Sequence, residues 1–186
     1  MLGTALNLGR KQEVLNGIGA NRDYATMTDS IIPNWIKAIR EKDDQKAERD
    51  RVAAMTELLR AKTIQTDAPA YWTQLLNELQ ITVDSLSHIG LTASLSTTRT
   101  SIEEVVEISI RRPGAVRHSV VIDLFYRAGS STIRSRKGNT YSDMHFSVVD
   151  REIRLLCDNG PQKPAQAAQS IIEPLVKYLR NQPTNF

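Results

Sequence analysis

The chain has 186 residues, 40% hydrophobic and 24% charged, with a net charge of +3. That is enough for one domain, or one plus an appendage, with a core that needs no staples. The one cysteine, Cys157, excludes an intrachain disulfide and fits a reducing compartment. No run approaches the ~18 apolar residues of a membrane helix, and the N-terminus lacks the cationic lead and apolar stretch of a secretory signal, so a soluble, cytoplasmic protein with no membrane partner is expected.

Residues 1–27 show no sustained period and read as a poorly ordered lead-in. Met27, ahead of "TDSIIPNWI", looks like an alternative translation start. Helical spacing then begins. Ser30 can cap, Pro33 suits a first turn, and Ile32, Trp35, Ile36 and Ile39 make a short apolar face. "REKDDQKAERDR", 40–51, contains nothing apolar larger than Ala47, and Val52, Met55, Leu58 and Leu59 follow it. A helix over 31–63 would be about 50 Å long at ~1.5 Å per residue, with a solvated charged middle or one packed on another chain. "TIQTDAP" predicts a break, and Asp67 and Pro69 suit the cap and first turn of a second helix. Its stripe is Trp72, Leu75, Leu76, Leu79, Val83 and Leu86. Residues 28–88 therefore read as a helical hairpin or arm.

From His88 the period becomes two. Leu91, Ala93 and Leu95 alternate, as do Val106, Ile108 and Ile110, then Val120, Ile122, Leu124 and Tyr126, then Thr132, Arg134 and Arg136 against Ile133 and Ser135. The stretch 143–158 is long enough for one bent strand or two. "RRPGAV", "RAGSS" and "RKGNTYSD" read as turns, so short connections predict an antiparallel meander. The C-terminal stripe, Ala168, Ile171, Ile172, Leu175, Val176 and Leu179, predicts a helix lying on the sheet, with Pro164 near its start and Pro174 kinking or splitting it. The expected fold is α+β: two N-terminal helices, one long and charged, then four to six antiparallel strands and a packed C-terminal helix. Residues 89–186 form the sheet unit, folding together with 66–88.

The charge is uneven. Residues 1–110 hold 12 Lys and Arg against 15 Asp and Glu, and residues 111–186 hold 12 against 6. Arg111, Arg112, Arg117, Arg127, Arg134, Arg136 and Lys137 fall within 27 residues, opposed only by Asp123. With Phe125, Tyr126 and Tyr141 nearby, they could contact nucleic acid or an acidic partner. Cations also keep sheet edges from aggregating, and a solvated or edge role weighs more for this cluster, with Arg134 and Arg136 alternating on one strand face. Asp123, on a mostly apolar strand face, needs a cross-strand partner, for which Arg111, Arg134 and Arg136 are candidates.

Little else resembles chemistry. His88, His118 and His145 lie at no zinc spacing, and no phosphate-cradling loop is present. Asp143, His145 and Cys157 could be imagined as a nucleophile set, but Cys157 behind "RLL" reads more simply as a small core hydrophobe. No metal or cofactor is expected. The leading reading is a non-enzymatic interaction or scaffold protein that binds a protein partner or itself. The alternatives are a nucleic-acid binder using 111–137, and a small-ligand carrier or enzyme with a pocket between sheet and helices.

Overall fold

The structure, a computed structural model, describes residues 32–113 and 119–182. The lead-in at 1–27, the start at Met27, the Ser30 cap and half of the "RRPGAV" turn lie outside the described residues. The chain divides into two compact units, Met1–Ala54 and Met55–Phe186.

Helix α1, Asn34–Ser85, is one continuous element, so one helix takes the place of the two expected and the break at "TIQTDAP" is not formed. Pro33 precedes the first turn and its carbonyl accepts the N–H of Ile36 at 2.9 Å. Pro69 and Asp67 sit inside the helix rather than at a new start. A mid-helix proline costs about 3 kcal/mol or more through a lost hydrogen bond and a ring clash. Around Pro69, however, Ala68, Tyr71, Trp72, Leu75, Leu79 and Val83 are buried. At about 1.5–3 kcal/mol per large apolar side chain, that burial outweighs the break several-fold. A 3-10 turn, Leu86–Ile89, ends at Gly90, whose φ of 74° supplies the left-handed closure.

Among the described residues seven strands follow: β1 Thr92–Arg99, β2 Glu104–Arg111, β3 Ser119–Tyr126, β4 Thr132–Lys137, β5 Thr140–Val149, β6 Glu152–Cys157 and β7 Gly160–Gln162. They pair antiparallel in sequence order, 1 to 7. The sheet is thus a pure meander with one or more strands beyond the four to six expected. The stretch 143–158 supplies parts of two strands, divided at Asp150–Arg151. Both residues have positive φ, 52° and 64°, and they close a two-residue hairpin between Val149 and Glu152, as a type I′ turn requires. Gly138 turns the β4–β5 hairpin at φ 58°, with Lys137 opposite Thr140.

Helix α2, Pro164–Asn181, starts with Pro164 at its first position, and the Gln166 side chain accepts the Lys163 N–H at 3.2 Å. Pro174 neither splits nor ends it. Its flanks, Ile171, Ile172, Leu175 and Leu179, are buried and hold the helix in place, as the α1 stripe does around Pro69.

Alternation gives the sheet two different faces. One carries Val106, Ile108, Ile110, Val120, Ile122, Leu124, Ile133, Phe146 and Leu155, all buried in a single core with the α1 and α2 stripes. Trp72 stacks on Tyr126 at 5.1 Å, and Tyr71 meets Phe146 edge-on at 5.5 Å. The Tyr71 hydroxyl donates to the Gln162 carbonyl at 2.8 Å, and burial pushes its pKa up. The other face carries the hydrophilic alternates, including Glu107, Asp123, Arg134, Arg136 and Asp143.

Candidate interaction site on the open sheet face

Strand register builds the site row by row. Glu107, Asp123, Arg136 and Tyr141 lie opposite one another across β2, β3, β4 and β5. The next row is Val105, Phe125, Arg134 and Asp143, and Thr132 and His145 follow on β4 and β5. Between these rows and the turn after β3 lies a groove of about 430 Å³ lined by Phe125, Arg127, Thr132, Arg134, Arg136 and Tyr141, with Glu103 and Ser130 at its rim.

Its electrostatics are compensated from within. Arg136 Nε donates to Asp123 Oδ2 at 2.7 Å, and the guanidinium stands 5.5 Å over the Phe125 ring. Asp123 is buried, 7% exposed, so this pairing removes the cost of an isolated charge there. Arg134 binds Asp143 through both ends of its fork, at 2.8 and 3.3 Å. The Arg134 hydrogen bond holds the Asp143 carboxyl below the ordinary carboxylate value, and the same bond raises Arg134. Arg136 is raised chiefly by its bond to Asp123. With Glu103, Asp123 and Asp143 beside Arg127, Arg134 and Arg136, the groove carries no net positive charge.

The seven cations grouped by sequence separate in space. Arg127, Arg134 and Arg136 meet at the groove. Arg111 is on the same face but four register steps along β2 from the residue opposite Asp123, about 14 Å at ~3.4 Å per residue. Arg112 is half-buried just beyond β2. Lys137 belongs to the helix-covered face, where its ammonium stands 4.7 Å over the Tyr178 ring. Arg117 lies outside the described residues. The edge reading of Arg134 and Arg136 is corrected: β4 is the middle strand of seven, so neither residue protects a sheet edge.

The imagined nucleophile set does not assemble. His145 pairs with Leu156, so His145 and Cys157 project from opposite faces of the sheet. Asp143 is committed to Arg134, and burial pushes the Cys157 thiol up to about 11, which suppresses the thiolate at neutral pH. His88 is exposed in the 3-10 turn, and His118 is outside the described residues. Among the described residues, no cluster of His, Cys, Asp or Glu could hold a metal ion, and no helix is long and apolar enough to cross a membrane.

The residues that sequence reasoning passed over are Asp143 as the partner of Arg134, Glu104, and the exposed side of α1. Glu104 accepts the Trp72 indole N–H at 2.9 Å and Arg99 at 3.0 Å, tying α1 to the sheet. In the second unit, Met55, Leu58 and Leu59 are 62%, 71% and 58% exposed. Leu59 and the buried Ala68 are nine residues apart, about two and a half turns at ~3.6 residues per turn. Leu59 therefore points away from the core-facing stripe of the same helix, with Met55 toward the same side and Leu58 on the flank. In the first unit, Trp35 and Ile39 are also more than half exposed.

Comparisons of the chain with protein-family models, with curated proteins and with solved structures find no match.

Proposed function

We propose that this chain is a non-enzymatic, cytoplasmic interaction protein that assembles with a second copy of itself through α1, leaving the open sheet face for a protein partner. The exposed apolar group Met55, Leu58 and Leu59, set off the buried stripe of α1, carries this reading. Exposed large side chains at helical spacing suit docking of another helix. The charged stretch 40–51 holds five Lys and Arg and five Asp and Glu, so two copies meet there without net repulsion. The alternative of nucleic-acid binding is weakened by the carboxylates that already occupy Arg134 and Arg136. A phosphate would have to displace them.

Light scattering after size-exclusion chromatography tests the proposal. The wild-type mass is expected above that of the monomer, and Met55→Glu with Leu59→Glu is expected to halve it or lower it further, with unchanged far-UV circular dichroism. A mass unmoved by the double substitution would overturn the reading.

A further inference from the structure

We propose that the outer edge of β1 pairs antiparallel with β1 of a second copy, joining two seven-stranded sheets into one. This contact lies at the sheet edge, apart from the groove at Phe125 and from the apolar residues of α1.

The two edges of the sheet are built differently. At the β7 edge the strand has only three residues, and one of them is Pro161, which has no N–H to offer. The Gln162 carbonyl is also taken by the Tyr71 hydroxyl. That edge is closed. β1 has eight residues in unbroken register with β2, from Thr92 opposite Arg111 to Arg99 opposite Glu104. It has no bulge, no proline and no lysine, and its only charge is Arg99 at the end, bound to Glu104. Among the described residues β1 pairs with β2 alone. Its outer side therefore presents a row of backbone donors and acceptors without the usual guards of an edge strand.

A second copy fits this edge better than a foreign strand because β1 is complementary to itself. A continuous sheet requires that paired residues lie on the same side. Antiparallel pairing about a two-fold axis at Leu95 satisfies this. Leu95 then meets Leu95 of the other copy on the helix-covered side, where it already packs against the core. Ala93 meets Thr97 on that side, and Ser94 meets Ser96 on the open side. The one charge also selects this direction. Antiparallel pairing places each Arg99 beside the other copy's Leu91, leaving the two Arg99 residues about 27 Å apart at ~3.4 Å per residue, beyond the ~8 Å screening length. Parallel pairing would set the two arginines side by side. The two-fold operation also closes this contact, so strand addition stops at a pair of sheets.

Cysteine cross-linking tests the register directly. In a Cys157→Ser background, Leu95→Cys places two thiols directly opposite, with Cα atoms about 4.5–5.5 Å apart, within disulfide reach. Thr98→Cys places them six register steps apart, about 20 Å. Mild oxidation is expected to link the Leu95→Cys chains at least about tenfold faster than the Thr98→Cys chains. Adding Ser94→Lys with Ser96→Lys sets like charges opposite and is expected to slow the linkage, while Ser94→Lys with Ser96→Glu sets opposite charges together and is expected to restore it. Equal linkage at 95 and 98, or equal behaviour of the two charge variants, would overturn the proposal. Met55→Glu with Leu59→Glu should leave the linkage intact, so this inference and the proposed role of α1 fail separately.

Discussion

Trp72→Phe tests the junction between α1 and the sheet. Trp72 is 2% exposed, stacks on Tyr126 and donates its indole N–H to Glu104. Phenylalanine keeps an aromatic ring there but removes the donor. A hydrogen bond to a charged group contributes about 1.5–3 kcal/mol. The lower end applies, because Arg99 still holds the other carboxylate oxygen and the Glu104 side chain is 12% exposed, so water can reach it. The smaller ring buries roughly 40 Å² less, about 1 kcal/mol at ~25 cal/mol per Å². The expected cost is thus about 2.5 kcal/mol. With a urea dependence of about 2 kcal/mol per molar, the unfolding midpoint falls by roughly 1.2 M.

The assay is urea unfolding followed by circular dichroism, since replacing Trp72 alters the fluorescence signal itself. Trp72→Phe, Glu104→Ala and their combination form a cycle that separates the bond from the lost area. A coupling of about 1 kcal/mol is expected for groups in direct contact. If Trp72→Phe costs less than about 0.5 kcal/mol, or if the two substitutions add within about 0.3 kcal/mol, the bond is not what holds α1 to the sheet.

Two further outcomes follow from the geometry. Arg151 occupies the left-handed region at φ 64°, which costs a side-chain-bearing residue about 1–2 kcal/mol. Arg151→Gly should therefore raise stability by roughly 0.5 kcal/mol after the added unfolded-state entropy, and a lowered thermal midpoint would contradict the turn assignment. Asp143 has its pKa depressed in the folded protein by Arg134. Its contribution to stability is therefore present above the unfolded carboxylate pKa and is lost as pH falls through the folded one. NMR titration should place the Asp143 carboxyl below the ordinary value in the native chain and return it upward in Arg134→Ala. An unchanged titration would show that the pair does not persist in solution.

The sequence made the strand alternations, the buried stripes and the C-terminal helix readable, because period and burial are local properties. Helix α1 runs through the break expected at "TIQTDAP", and α2 is not split at Pro174, for a reason the residues themselves explain. Pro69 and Pro174 are correct local signals against a helix, each worth a few kcal/mol. Each is flanked by apolar residues whose burial against the sheet exceeds that cost, and tertiary burial does not show in a window of seven residues. The strand beyond the six expected is β7, Gly160–Gln162, because Gly160 and Pro161 are local signals for a turn and only the pairing of Leu155 with Gln162 makes the segment a strand.

The basic cluster differs in its cause. "RKGNTYSD" reads locally as turn material, and this hides the start of β5. If only Gly138 and Asn139 form the loop, Lys137 must pair with Thr140, and counting outward sets Arg136 against Tyr141 and Arg134 against Asp143. The two-residue turn alone thus supplies Arg134 with its carboxylate. It also shows that β4 is followed by a paired strand, and the preceding "RAGSS" turn gives it β3 on the other side. A strand paired on both sides is not an edge. Its cations must then be explained by what lies opposite them, and Asp123 and Asp143 are there. Counting charges along the chain measured an excess of cations. Counting them across the ladder finds ion pairs, which leaves the groove at Phe125 and Tyr141 better suited to an uncharged or mixed-charge protein surface than to a polyanion.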